Sequence, residues 1–270
     1  RKFHMAKIGF IGMGNMGTAI MRGLLKTYQP EELLFTSAHE AKMQKITEET
    51  GVAHVSTATE CADQVKYLVL AVKPQVLPTA FKELNGKIRK DQVVISIAAG
   101  YAIADLQTGL GESARIVRSM PNTPAMVGEG MSGVSYDENL FTDEEKQVID
   151  GFFTSFGKME KVDEKLMDVV GSASGCSPAY VYMFIEALAD GCVKNGLPRQ
   201  AAYKMVAQAV LGSAKMVLET GKHPGELKDM VCSPGGTTIE GLAALEENGF
   251  RGAIIKACDA NFEKNKKLKG

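Results

Sequence analysis

The chain has 270 residues, 45% hydrophobic and 23% charged, with a formal net charge of −1. That length and balance suit one large or two modest globular domains. The near-neutral charge provides no global field toward nucleic acid or an anionic membrane, and no apolar run approaches the roughly 20 residues that span a bilayer, so neither partner is expected.

The basic start, Arg1-Lys2-Phe3-His4, is followed by no signal-type apolar segment and cleavage site; Met5 reads as the natural start and the four residues before it as an added remnant. Residues 7–11 form a short apolar strand that runs into Gly12-Met13-Gly14-Asn15-Met16-Gly17. Helical spacing follows over residues 15–26, with Met16, Ile20 and Leu24 on one face. Residues 33–36 read as a second strand, 41–49 as a helix closed by Gly51, and 52–55 as a short strand. Residues 66–72 make a nearly continuous apolar run, the pattern of a strand buried on both faces. Residues 93–98, 116–120 and 133–136 add further strands. Strands alternating with helices imply right-handed crossovers and an α/β doubly wound parallel sheet.

The pattern changes near residues 156–162, and no strand is expected beyond. Ser177 is placed to cap a helix with Pro178 in its first turn. Residues 179–194 are long and apolar on more than one face, 200–219 form a second helix closed by Gly221, and 226–231 and 238–247 flank a glycine-rich turn. A last helix starts at Gly252, and its lysine-rich end, 264–269, reads as solvated and frayed. The division expected is therefore 5–162 for a dinucleotide-binding domain and 163–270 for an all-α domain, whose apolar helix over 179–192 is best buried against a partner subunit.

Five separated cysteines with no CxxC pair argue against a disulfide framework and for a reducing cytoplasm. Four histidines with neither HxxxH nor HxH spacing give no metal site.

In the first glycine turn, Gly12 permits a tight bend, Gly14 lets backbone approach a pyrophosphate, and Gly17 lets helix pack on strand. The amides of Asn15 and Met16 and the helix dipole then face the phosphates; the alternative is a purely structural turn. The second strand ends in Thr36-Ser37-Ala38, whereas an NAD-preferring fold places a carboxylate there. Glu31 and Glu32 precede the strand, on the wrong side. Ser37 can donate to a 2′-phosphate, helped by Lys42 or His39, or it caps the next helix; NADP(H) is favoured, with NAD(H) as the alternative. Ala71-Val72-Lys73-Pro74 follows a strand at the edge where such sheets bind ligands, so it should pass the cofactor ribose, unless Lys73 is merely solvated. The rigid turn Ser119-Met120-Pro121-Asn122-Thr123-Pro124 would bring Asn122 and Thr123 to the same edge, or is only a structural loop. Ser233-Pro234-Gly235-Gly236-Thr237-Thr238 makes an amide nest suited to a carboxylate, or a helix–helix corner with a threonine cap.

Together these motifs, and above all Pro224-Gly225-Glu226-Leu227-Lys228-Asp229 leading into Ser233 to Thr238, resemble pyrroline-5-carboxylate reductases, over residues 5–263. The resemblance implies NAD(P)H-dependent reduction of 1-pyrroline-5-carboxylate to L-proline, the last step of proline biosynthesis. It also implies an N-terminal Rossmann-type sheet, an all-α C-terminal dimerisation domain, and a homodimer that assembles further into a decamer of five dimers. The roles implied are Thr238 as the catalytic hydrogen-bonding group at the ring nitrogen, with Ser233, Gly236, Thr237 and Thr238 holding the substrate, its carboxylate on the amides of the last three. A cyclic imine is basic enough to be protonated before hydride arrives, which suits a site without an evident histidine or lysine acid. Two rivals stand beside this reading. A 3-hydroxy acid dehydrogenase shares the first motif but needs a base, and the stretch Gly171-Ser172-Ala173-Ser174-Gly175-Cys176-Ser177 has no lysine. A non-catalytic NADPH-sensing dimer would keep the cofactor site alone.

Overall fold

A computed structural model describes residues 7–267, so the expected start at Met5 lies outside the described residues. The chain divides into two compact units: one extends to Gly175 and resumes at Lys264, and the other is Cys176–Glu263.

The first unit holds strands β1 (Ile8–Ile11), β2 (Leu33–Thr36), β3 (Ala53–His54), β4 (Tyr67–Leu70), β5 (Val93–Ser96), β6 (Arg115–Met120), β7 (Gly130–Ser135) and β8 (Gly157–Lys161). Its helices are α1 (Asn15–Leu24), α2 (Glu40–Thr50), α3 (Ala58–Asp63), α4 (Leu77–Leu84), α5 (Ile103–Leu110), α6 (Asp143–Thr154) and α7 (Met167–Val170). The strands form one sheet in the order β3-β2-β1-β4-β5-β6-β7-β8. Alternation along each strand sends side chains to opposite faces. Ile8, Phe10, Phe35, Val69 and Ile95 enter a core shared with α1, α2 and α6. Ile11, Leu34, Leu68, Leu70 and Val94 enter a second core with α3, α4 and α5. Both faces are covered, which is why the central strands read as continuous apolar runs. The sheet order reverses between β1 and β4, a topological switch point.

Two features depart from the sequence expectation. β7 runs antiparallel to β6, because the connection over residues 121–129 is too short for a crossover. β8 then pairs parallel with β7, and the sequence gives no sign of it. Its residues, Gly-Lys-Met-Glu-Lys, sit on a solvated edge without an apolar repeat. Here Gly157 lies so close to Gly130 that an added Cβ would stand 1.9 Å from the Gly130 carbonyl oxygen.

Residues 163–175 pack with the sheet. Met167 is fully buried, and Arg118, itself buried, pairs with Glu164 at 3.1 Å. A π-helical turn over Gly171–Gly175 continues α7 toward the next helix. Cys176 is therefore already helical and occupies the cap position, so Ser177 is the first residue inside the helix and not its cap. Over residues 264–267 the end expected to fray is helical, and residues 268 and 269 of that reading lie outside the described residues. The last helix continues to Lys267, and Asn265 Nδ2 donates to the Asp168 carbonyl at 3.3 Å.

The second unit contains α8 (Ser177–Lys194), α9 (Arg199–Thr220), α10 (Pro224–Val231), α11 (Thr237–Glu247) and most of α12 (Phe250–Lys267). Its buried core consists of Ala189, Ala202 and Val206, flanked by residues such as Ile185 and Val210. Larger apolar groups lie open instead: Met183 is 73% and Leu218 67% exposed. Among the described residues no helix is long and apolar enough to cross a membrane, no group of three metal-ligating side chains occurs, and all five cysteines are free thiols. Cys61 is a core group whose thiol burial pushes up to about 12. Cys176 and Cys232 are half-buried.

Candidate active site

The first unit carries a cavity of about 490 Å³ at the C-terminal ends of β1, β2 and β4. Gly12, Gly14, Ser37, Ala71, Val72 and Lys73 all line it. The strands are locked there: Gly12 N–H donates to the Thr36 carbonyl at 2.9 Å, and Ala71 N–H to that of Ile11 at 2.8 Å. Gly12 has φ +93°, and a Cβ on it would stand 2.7 Å from Val72 Cγ1 and 2.8 Å from Val72 N. Only glycine makes this bend while β4's loop lies so close. Gly14 is different. It has φ −81° in the cap position of α1, and a Cβ there would meet no protein atom within 4 Å. The space in front of it belongs to whatever the cavity holds. No side chain caps α1 and no acidic residue sits in its first turn. Open backbone, amides and a positive helix end together fit a pyrophosphate, so the residues present suit a bound dinucleotide.

A pair of variants separates the two glycines. Gly12→Ala should lower both thermal stability and NADPH affinity, whereas Gly14→Ala should melt like the parent and bind NADPH at least about tenfold more weakly. Thermal unfolding and an NADPH fluorescence titration read the two effects apart.

Ser37 does not cap α2, whose cap position is His39. Its N–H donates to Met43 Sδ at 3.1 Å, and Lys42 joins it in the cavity wall. Asn15, Met16, Gly17 and Pro74 are not in that wall. Asn15 and Met16 open α1, Pro74 starts the turn after Lys73, and a Cβ on Gly17 would approach the Gly12 carbonyl at 3.1 Å. Asn122 stands elsewhere: its Nδ2 donates to the Ser174 carbonyl at 3.1 Å, and its Oδ1 accepts from Met131 N–H at 2.8 Å. Both ends of this amide brace the protein, tying the Pro-Asn-Thr-Pro turn to β7 and to the π turn. Sequence reasoning missed a further part of the wall, formed by Ser56, Thr57 and Ala58 at the start of α3 and by Val76, just ahead of α4, with Thr79, Ala80 and Glu83 on it. The spacing i, i+3, i+4, i+7 of the latter was a readable signal for one helix face.

In the second unit, Ser233 to Gly236 form a tight turn with Gly235 at φ +66°. The Gly236 N–H donates to the Ser233 carbonyl at 3.1 Å, so this amide, expected to hold a carboxylate, is engaged inside the turn. A Cβ on Gly236 would stand 2.6 Å from Ser233 Oγ. Gly236 then takes the cap position of α11 with no side-chain cap, which leaves Thr237 and Thr238 as its exposed first residues. Their amides form an uncapped helix N-terminus with two hydroxyls beside it. The preceding segment is held by His223, whose Nδ1 accepts from Gly225 N–H at 3.0 Å, and by the Lys222–Glu226 ion pair at 2.8 Å.

Residues 164–268 match the family model described as pyrroline-5-carboxylate reductase dimerisation. Residues 7–100 match one described as NADP oxidoreductase, coenzyme F420-dependent. The pyrroline-5-carboxylate reductase of Escherichia coli (strain K12) is 47% identical over 97% of this chain and 98% of its own length. A crystal structure of the Plasmodium falciparum pyrroline carboxylate reductase with NADP bound superposes with a TM-score of 0.85 at 34% identity, covering 98% of each chain. The structure of a pyrroline-5-carboxylate reductase from Coxiella burnetii gives a TM-score of 0.90 at 32% identity, over 99% of this chain and 100% of its own. With both of its halves matched in this way, the chain belongs to the pyrroline-5-carboxylate reductase family.

Proposed function

We propose that the chain reduces 1-pyrroline-5-carboxylate to L-proline with NADPH, the last step of proline biosynthesis. The observation that carries the reading is the Ser233–Gly236 turn opening α11 without a cap, in a chain whose other unit offers a dinucleotide cradle at its sheet switch point.

When bound, the dinucleotide supplies the hydride. The chain's own residues bind and orient. Thr237 and Thr238 amides and the α11 dipole hold the substrate carboxylate. The protonated ring nitrogen donates a hydrogen bond to Thr238 Oγ, which fixes the C=N bond for attack. Hydride addition to the imine carbon turns the iminium into a neutral secondary amine, so no acid has to deliver a proton in that step. Positioning and fixed dipoles supply the catalysis. A rival that deprotonates an alcohol needs a base, and the turn Gly171–Gly175 offers none.

Ser37 and Lys42 face a cavity with no carboxylate at the end of β2, which favours the 2′-phosphate of NADPH and tolerates NADH. Ser37→Asp would place a negative charge there, and the NADPH/NADH ratio of kcat/KM should fall at least about tenfold. The assay that tests the whole reading follows NADPH absorbance, as loss with NADPH and pyrroline-carboxylate and as gain with NADP+ and hydroxy acids; gain with the hydroxy acids and no loss with the imine would reject it, and cofactor binding with no change in either arm would leave only the sensing module.

The assembled form is a homo-oligomer, in line with the dimerisation family match. Its unit is proposed to be a dimer, five of which form a decamer, acting in the reducing cytoplasm that five free thiols suit and away from membranes and nucleic acid.

A further inference from the structure

The wall of the cavity formed by α4 ends in a carboxylate, which is unexpected beside a polyanionic ligand. Val76, Thr79, Ala80 and Glu83 project from one face of the segment. Val76 and Ala80 present an apolar surface near Lys73, and Glu83 stands one turn further on. This carboxylate is held in place. Its Oε2 accepts from Ala58 N–H, the first amide of α3, at 3.3 Å. Its backbone carbonyl accepts from Thr59 Oγ1 at 3.2 Å, and Lys87 Nζ donates to that same hydroxyl at 3.1 Å. Oε1 has no hydrogen-bond partner among the described residues. This part of the cavity wall thus carries the apolar side chains of Val76 and Ala80, with a fixed, charged acceptor one turn further on.

A carboxylate there repels phosphate, so it is tolerable only opposite a group that donates. The glycine turn takes the pyrophosphate and Ser37 takes the adenosine ribose, which leaves the nucleobase for the α4 wall. We propose that Glu83 determines the base of the dinucleotide, its Oε1 accepting a hydrogen bond from the exocyclic amine of adenine. The proposal rests on NADPH being the cofactor. A carboxylate accepts but cannot donate, so a base with a carbonyl at that position would meet lone pair against lone pair.

The test titrates the unaltered protein with NADPH and with its hypoxanthine analogue, in which a carbonyl replaces the amine. Affinity is read from nucleotide fluorescence, without turnover. The analogue should bind about tenfold more weakly, the scale of one hydrogen bond to a charged group. Glu83→Gln keeps an acceptor for the Ala58 amide and adds a donor, so the preference should fall to within about threefold of parity. Equal affinity of the parent for both nucleotides overturns the proposal, as does a preference that persists in Glu83→Gln. A change in the NADPH/NADH affinity ratio with unchanged base preference overturns it in favour of a ribose contact. Absence of NADPH binding by the parent would reject the cofactor assignment itself, a distinct outcome.

Discussion

Replacing Thr238 with alanine is expected to lower turnover about tenfold to a hundredfold, the scale of one lost hydrogen bond to a charged group, while NADPH affinity stays where it is. The residue is suited to such a clean test. It is exposed, it lies one position inside α11, and the helix takes its cap from Gly236 without any side chain. Removing the hydroxyl therefore takes nothing from the fold. Thr238→Ser keeps the oxygen and should retain most of the rate. Steady-state kinetics with a parallel NADPH titration make the measurement, and undiminished kcat in Thr238→Ala would exclude the role.

The second large effect concerns stability and lies far from chemistry. Glu145 is almost fully enclosed, with both oxygens occupied. Oε1 accepts from Arg115 at 2.9 Å and pairs with Lys66 at 2.9 Å; Oε2 accepts from Arg115 at 2.7 Å and from Thr142 N–H at 3.0 Å. The Arg115 guanidinium, above all, holds this carboxyl down at about 2, from an ordinary 4.5. A depressed carboxyl stabilises the folded state above its unfolded value, and that contribution is lost as pH falls from about 4.5 through about 2. The shift corresponds to about 3 kcal/mol at neutral pH. Glu145→Gln leaves Arg115 without its partner in the same place and should cost about 3 kcal/mol at pH 7. Urea unfolding at several pH values reads this directly. The parent and variant curves should converge toward pH 2; a constant gap between them would contradict the account.

Much of the first unit is legible because its signals are local. The glycine turn, the switch at β4 and the closing Gly51 of α2, at φ +75°, each express a backbone requirement within a few residues. The edge strand β8 is not legible, since Lys158, Glu160 and Lys161 bury little and its pairing depends on Gly130 far back in the chain. The direction of β7 follows from a connection length rather than from its composition. The positions of Ser37 and Lys73 in the cavity wall were readable from strand ends. The brace from Asn122 to Ser174 was not, because it joins residues distant in sequence. The helix face that carries Glu83 was readable from its spacing, but its place in the cavity was not, since that comes from α3 packing against α4. The Gly236 amide shows a limit of motif reading, since the motif supplies amides but the turn decides which remain available.

The open apolar surface of the helical unit has a consequence for how this protein persists at low abundance. Three small or medium side chains do not make a core for five helices, so the folded form of that half is a shared property of two or more chains. Its stability then contains a mass-action contribution, and dilution weakens the fold along with the assembly. A chain released from its partners would expose Met183 and Leu218 together, and would face competing aggregation until it found another copy.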